Sequence, residues 1–302
     1  MKKTILLPLI TLFLSAAASA ADNSALAQLG LLPEPAIEFS PVPYPAAPKG
    51  GALSQISRWD PDAPFMHCER PAEVAFQPGG AVIKNMRWGT VPADKQSYDW
   101  TAATVKPELL EKVFYGYKTM GVGHSFFVFV FKAGGITNDR GETTSAFTAG
   151  AEGWAREPHG YNVFHATAGK YPLIWSVTTL GSYADYTVNL RESELFLTPI
   201  ALDRAQALEL LSKTLERINQ TNARKEIYES FSNNCTTNPV DLLNAVLPPA
   251  QHIKKTAFLG LANPDFTFPR YAVKRYTELG VISPSAIRID QSNIASFNIS
   301  SY

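Results

Sequence analysis

Two residues in this chain have the chemistry and setting for nucleophilic acyl transfer. Cys235 lies in Ser232-Asn233-Asn234-Cys235-Thr236-Thr237-Asn238, at or just before the expected start of a helix. Unpaired amides and the helix dipole at such an end stabilise an anion, which lowers a thiol's pKa and raises its thiolate fraction. The same amides are natural donors to an oxyanion. Polar flanks favour solvent access, whereas structural cysteines more often sit among apolar neighbours. On these local residues, nucleophile and structural thiol both stay open. His124, in Gly121-Val122-Gly123-His124-Ser125, stands at the entrance of an apolar run and suits a general base. A half-buried histidine closing a strand is the plain alternative.

A thiol–imidazole pair needs a third group that orients the ring and stabilises its protonated form. Glu152, in Thr148-Ala149-Gly150-Ala151-Glu152-Gly153-Trp154, follows the turn after the histidine's strand and stands among small residues. A neighbouring strand could therefore carry it beside His124. A surface carboxylate is the alternative reading, and Asp185 and Glu142 are weaker candidates. Ser125 lacks a Gly-x-Ser-x-Gly elbow, and strand alternation turns its side chain away from that of His124. The five histidines and two cysteines show no CxxC or HxxxH spacing, so no metal or other cofactor is expected. Cys68, between His67 and Glu69, has no helix end to activate it and reads as incidental. A Cys68–Cys235 disulfide in a non-catalytic envelope protein is the competing account of the two thiols.

Ser125–Phe131 (SFFVFVF) lacks alternation and predicts a strand buried on both faces. Upstream, Leu109, Leu110, Val113, Phe114 and Tyr117 recur at spacings of three and four, which predicts a helix over Lys106–Met120 with Pro107 in its first turn. Extended segments are expected at 171–178, 185–190 and 194–200. Asp203 with Gln206 three residues on forms a capping box, opening a helix whose stripe is Leu208, Leu211, Leu215 and Ile218. The Cys235 helix should run from about Thr236 to Val246 and stop at Pro248-Pro249. Helices around a strand-rich middle define an α+β protein.

Lys2-Lys3, an apolar run over 4–15 and Ala18-Ser19-Ala20 together read as a signal peptide cleaved near Ala20, so the chain is exported. Residues 21–51 read as a Pro-rich linker, with six prolines between 31 and 51, and residues 52–302 as a single domain. The 27 Lys and Arg balance the 27 Asp and Glu, which argues against a nucleic-acid partner. A 45% share of hydrophobic residues is enough to bury a core.

Taken in order, these motifs resemble a known family. A Gly-His-Ser-Phe strand, a Glu beyond a turn and then Tyr228-Glu229-Ser230-Phe231-Ser232-Asn233-Asn234-Cys235-Thr236-Thr237 are similar to the N-terminal periplasmic domain of the Lnb lipoprotein N-acyltransferase family. Tyr186–Ala201 looks like the strand pair before that family's helix. Phe268-Pro269-Arg270 through Glu278-Leu279-Gly280-Val281-Ile282 looks like its closing segment. The likeness spans about residues 100–285, although no later apolar run here reaches membrane-spanning length.

The resemblance implies a circularly permuted papain-like fold, an antiparallel sheet packed on helices. It makes Cys235 the nucleophile, His124 the base and Glu152 the third member. It also implies a periplasmic enzyme that moves an acyl chain from a phospholipid-like ester to an amine, such as a lipoprotein N-terminus, through a Cys235 thioester. The expected partners are that lipid donor, that amine acceptor and, transiently, a membrane surface. Aromatics at 126–131 or in Tyr161–Phe164 could make the membrane contact, with core packing as their alternative. A cysteine hydrolase (amidase, peptidase or lipase), with water resolving the thioester, is the rival use of the same centre.

Overall fold

The run His124–Phe131 is buried over all eight of its residues, and the fold is organised around it. The computed structural model describes residues 59, 65–119, 123–157, 160–256 and 262–302; the expected signal peptide and linker lie outside them. Twelve strands form one sheet. They are β1 (Glu73–Gln77), β2 (Gly80–Trp88), β3 (Asp99–Val105), β4 (Leu110–Lys118), β5 (His124–Phe131), β6 (Ile136–Asn138), β7 (Thr143–Thr144), β8 (Ala146–Gly153), β9 (Tyr171–Thr179), β10 (Leu195–Pro199), β11 (Ile227–Tyr228) and β12 (Ile287–Ile289). The spatial order is β12-β10-β4-β5-β8-β9-β2-β3-β6-β7, with β1 added to β2 and β11 to β9. All pairings are antiparallel except β2 with β9, where Arg87 faces Thr178. Among the described residues six α-helices accompany the sheet: α1 (Val163–Thr167), α2 (Leu180–Ala184), α3 (Arg204–Arg224), α4 (Thr237–Asn244), α5 (Pro264–Thr267) and α6 (Pro269–Glu278). The class is α+β, as expected.

β5 has β4 on one side and β8 on the other. Its odd-numbered phenylalanines, Phe127, Phe129 and Phe131, pack in the cluster that holds Leu208, Leu211, Leu215 and Ile218 of α3 and Val240 and Leu243 of α4. Its even-numbered residues, Phe126, Val128 and Val130, pack with Leu180, Tyr183 and Val188 on the opposite face. Each buried phenylalanine contributes about 1.5–3 kcal/mol, so this strand is the part of the sheet that tolerates displacement least. The expected strands at 171–178 and 194–200 are β9 and β10. The Asp203–Gln206 capping box is present in full, with both reciprocal hydrogen bonds, and opens the 21-residue α3.

Two expected elements are corrected. Lys106–Met120 is not a helix: a 3-10 turn at Pro107–Leu109 leads into strand β4. A bulge between Leu110 and Lys112 adds a residue to the strand, which places Leu110 and Val113 three apart and imitates helical spacing. Aromatic and β-branched residues at 113–117, paired on both sides, then favour the sheet. The segment 185–190 is likewise not extended. It continues α2 as a wide π-helical turn, held by the Arg191 amide on the Tyr186 carbonyl at 3.1 Å and by Asn189 on Asp185 at 2.7 Å. The strand pair expected over Tyr186–Ala201 is therefore this turn followed by β10 alone.

Candidate functional site

β5 and β8 bring His124 and Glu152 together. Phe127 faces Ala149 across this antiparallel pair, and continuing three residues along each strand sets His124 opposite Glu152. His124 Nε2 lies 2.8 Å from Glu152 Oε1. The oxygen sits off the ideal N–H direction, so the contact is an ion pair at hydrogen-bond distance. Small residues make this approach possible. A Cβ at Gly150 would stand 3.2 Å from His124 Nε2 and 3.4 Å from Glu152 Oε1, and one at Gly153 would press on the Tyr228 ring at 3.2 Å. The Ala-Gly-Ala-Glu-Gly run in β8 is thus the clearance around the pair. On the other side, β4 sets Lys118 opposite His124.

Cys235 comes from the helix layer, where a hydrogen-bonded turn fixes it. Asn234 Oδ1 accepts the amides of Thr236 at 2.7 Å and Thr237 at 2.8 Å, while the Asn234 amide donates to Thr237 Oγ1 at 2.8 Å. This reciprocal cap makes Asn234 the functional N-cap and places Cys235 in the first turn leading into α4. Two of the amides expected to receive an oxyanion are therefore occupied. Among the described residues the Cys235 amide donates to no protein group, and it is the one left for that role. Ser125, next to His124 but pointing to the helix side, donates to the Cys235 carbonyl at 3.0 Å and contacts Thr236 Oγ1 at 3.1 Å. It anchors the cysteine turn to the sheet. Behind the turn, Arg217 of α3 makes a bidentate pair with buried Glu226 at 2.5 and 2.6 Å and donates to Asn238 Oδ1 at 3.0 Å. Asn233 Nδ2 joins Glu226 at 3.1 Å.

Cys235, His124 and Glu152 open into one pocket. Burial alone would raise the Cys235 pKa, but the His124 charge and hydrogen bond outweigh it, helped by the Ser125 amide and the Tyr228 hydroxyl, and hold the thiol below its usual range. Burial would depress His124, yet Glu152 and Cys235 prevail and lift it to about 9. Glu152 is held low despite burial, chiefly by His124. These directions all favour moving the thiol proton to the imidazole, with the carboxylate behind it. Such a centre can deliver a thiolate to an acyl carbonyl and return a proton to the leaving group.

Cys68 behaves oppositely. Both cysteines are free thiols, which removes the disulfide account. Cys68 lies 3.6 Å from the Tyr186 hydroxyl, and burial together with Glu69 pushes its thiol up to about 12. Asp185 and Glu142 are elsewhere: Asp185 accepts the Val91 amide at 2.7 Å, and Glu142 pairs with Arg140 at 3.0 Å beside the β6–β7 hairpin. Sequence reasoning gave no role to Tyr228 or to Glu69, which also lines the pocket. Tyr228 stood inside the cysteine motif, seven residues before the thiol, and that was its only signal. Glu69 had none, because only the β2–β9 junction brings its segment to the site. Among the described residues no group of three or more His, Cys, Asp or Glu could hold a metal ion, and no helix is long and apolar enough to cross a membrane.

Glu152 and His124 on adjacent sheet strands, with Cys235 at a helix start, define a protein with a candidate thiol centre at a sheet–helix junction. The chain belongs to the family of the Lnb N-terminal periplasmic domain, whose model matches residues 96–264, more than half of the sequence and all three of these residues. No curated protein matches the chain, and no solved structure does.

Proposed function

We propose that this protein is a periplasmic thiol-dependent acyltransferase that moves an acyl chain from a phospholipid-like ester to an amine through a thioester on Cys235. The observation that carries this reading is that Cys235 lines one pocket with the buried His124–Glu152 ion pair, with charges that favour the thiolate. The thiolate attacks the ester carbonyl, the Cys235 amide faces the developing oxyanion, and imidazolium gives its proton to the departing alcohol. The neutral imidazole then takes a proton from the incoming amine as the C–S bond breaks. A thioester keeps its reactivity toward amines, which makes transfer the first reading and hydrolysis the second.

The order of His before Cys, and a cysteine helix start against a sheet that carries the histidine, support the permuted papain-like arrangement. A membrane-surface approach is part of the proposal. The aromatics of 126–131 belong to the core, so that segment is excluded. Phe164 is 79% exposed, Phe231 52% and Tyr271 49%. Thr167 of α1 touches Ser230 at 3.2 Å, and Phe268 bridges Phe231 and Tyr271, which links these rings into one rim. Tyr161 carries that rim into the pocket wall.

The test is acyl trapping. Incubation with a phospholipid or a short p-nitrophenyl ester, followed by intact-mass measurement, should show one acyl group on Cys235, absent in Cys235→Ala. A Cys235→Ala protein that retains full turnover sinks the proposal.

A further inference from the structure

Glu69 stands in the same pocket wall as Cys235, His124 and Glu152. Among the described residues its carboxylate has no ion pair and no hydrogen bond, whereas Glu152 is matched to His124. The Glu69 amide donates to the Met66 carbonyl at 3.4 Å. The segment that carries it is pinned: Arg87 Nη1 donates to the Cys68 carbonyl at 2.8 Å, so the carboxylate is held at the pocket. An unpaired carboxylate in a cleft is costly unless it meets a cation in the working complex. The groups facing it are Glu152, which repels it, and Lys118, His124 and Arg87, which attract it; Tyr186 and Arg191 complete that side of the pocket.

We propose that Glu69 is the acceptor-binding residue of the transfer reaction, receiving the ammonium group of the incoming amine beside the thioester and taking its first proton. The inference rests on the acyl-transfer reading above. The step balances as follows. The ammonium gives one proton to the Glu69 carboxylate, and the freed nitrogen lone pair forms the C–N bond at the thioester carbonyl. The C–S bond then breaks, Cys235 leaves as thiolate, and neutral His124 takes the second nitrogen proton to restore the imidazolium. Burial and Glu152 raise the Glu69 acid to about 7, so both of its forms are accessible near neutrality and the proton can pass on to solvent. The acceptor is thereby defined by chemistry, as a primary amine that is cationic before it reacts.

The experiment separates the two half-reactions in the full chain. The burst of p-nitrophenolate from a short p-nitrophenyl ester reads acylation. Product analysis then reads how the acyl-enzyme divides among water, glycinamide (a cationic amine) and hydroxylamine (a neutral one). Glu69→Gln should keep the burst and the hydroxylamine product, yet lose glycinamide transfer by about tenfold to a hundredfold, the factor carried by a hydrogen bond to a charged group. Glu69→Asp should recover part of it. The rise of glycinamide transfer with pH around 7 should also vanish in Glu69→Gln. A Glu69→Gln protein with unchanged division between the two nucleophiles overturns the inference. So does a burst slowed as much as the transfer, which would make Glu69 a support for Glu152 and His124. Absence of any acyl-enzyme in the unaltered protein instead removes the acyl-transfer reading, and this inference with it.

Discussion

The lowered Cys235 thiol depends on the His124 charge in a buried setting, so its titration reports on that charge. Cys235 is held low and His124 lifted to about 9. The ion pair therefore exists between the lowered thiol pKa and about 9: it is lost by thiolate protonation as pH falls, and by imidazolium deprotonation as pH rises. In the proposed acylation imidazolium is the leaving-group acid, so the upper limb of the rate should fall near 9. Glu152→Gln removes the carboxylate that raises His124, so the limb should move to lower pH and the acylation rate should drop roughly 100-fold. Burst kinetics against pH checks both. An unshifted limb would mean that Glu152 does not control the ring. Of these residues, Cys235, His124 and Glu152 were legible because their types and flanks suggested chemistry. The use of two helix-start amides by Asn234 was not, since a side-chain cap and an open anion site look alike in Asn-Asn-Cys-Thr-Thr.

Glycines in two strands give opposite expectations at the scale of the element. Gly116 faces Phe126 across β4 and β5, and a Cβ there would come within 2.2 Å of the ring. Gly116→Ala should cost about 1–3 kcal/mol through overpacking, visible as a lower urea midpoint. Gly150→Ala meets the His124 ring and the Phe126 Cβ, both at 3.2 Å, close enough to shift the ring by a few tenths of an ångström. It should lower the midpoint less than Gly116→Ala does, while acylation falls about tenfold through misalignment. Equal effects of the two variants on stability and rate would contradict this division. Elements with one strong signal were readable in advance. β5 had an unbroken apolar run and α3 had a full capping box with a regular stripe. β4 was misread because a bulge changed its period, and 185–190 because its alternating apolar residues also fit a wide helical turn.

For the whole molecule, the proposed membrane approach rests on the exposed rings of Phe164, Phe231 and Tyr271. Exposed aromatics of this kind favour a lipid–water boundary. Phe164→Ser combined with Phe231→Ser should weaken co-sedimentation with phospholipid vesicles and slow acylation by vesicle-borne donor, with turnover of a soluble p-nitrophenyl ester unchanged. Equal loss on both donors would assign the rings to folding or to the pocket itself.

By itself, the sequence determined the α+β class, the central strand and the capped helix, because each depends on local spacing and side-chain chemistry, and it nominated Cys235, His124 and Glu152 as candidates. The order of its motifs also led to the family. Tertiary structure alone decided that β8 lies beside β5 in the register that joins Glu152 to His124. It also decided that Ser125 anchors the cysteine turn, that two of the expected oxyanion donors are already bound, and that Glu69 reaches the same pocket. Each of these depends on which distant segments pair and how closely their backbones approach, and a period read along one chain carries no information about its partner.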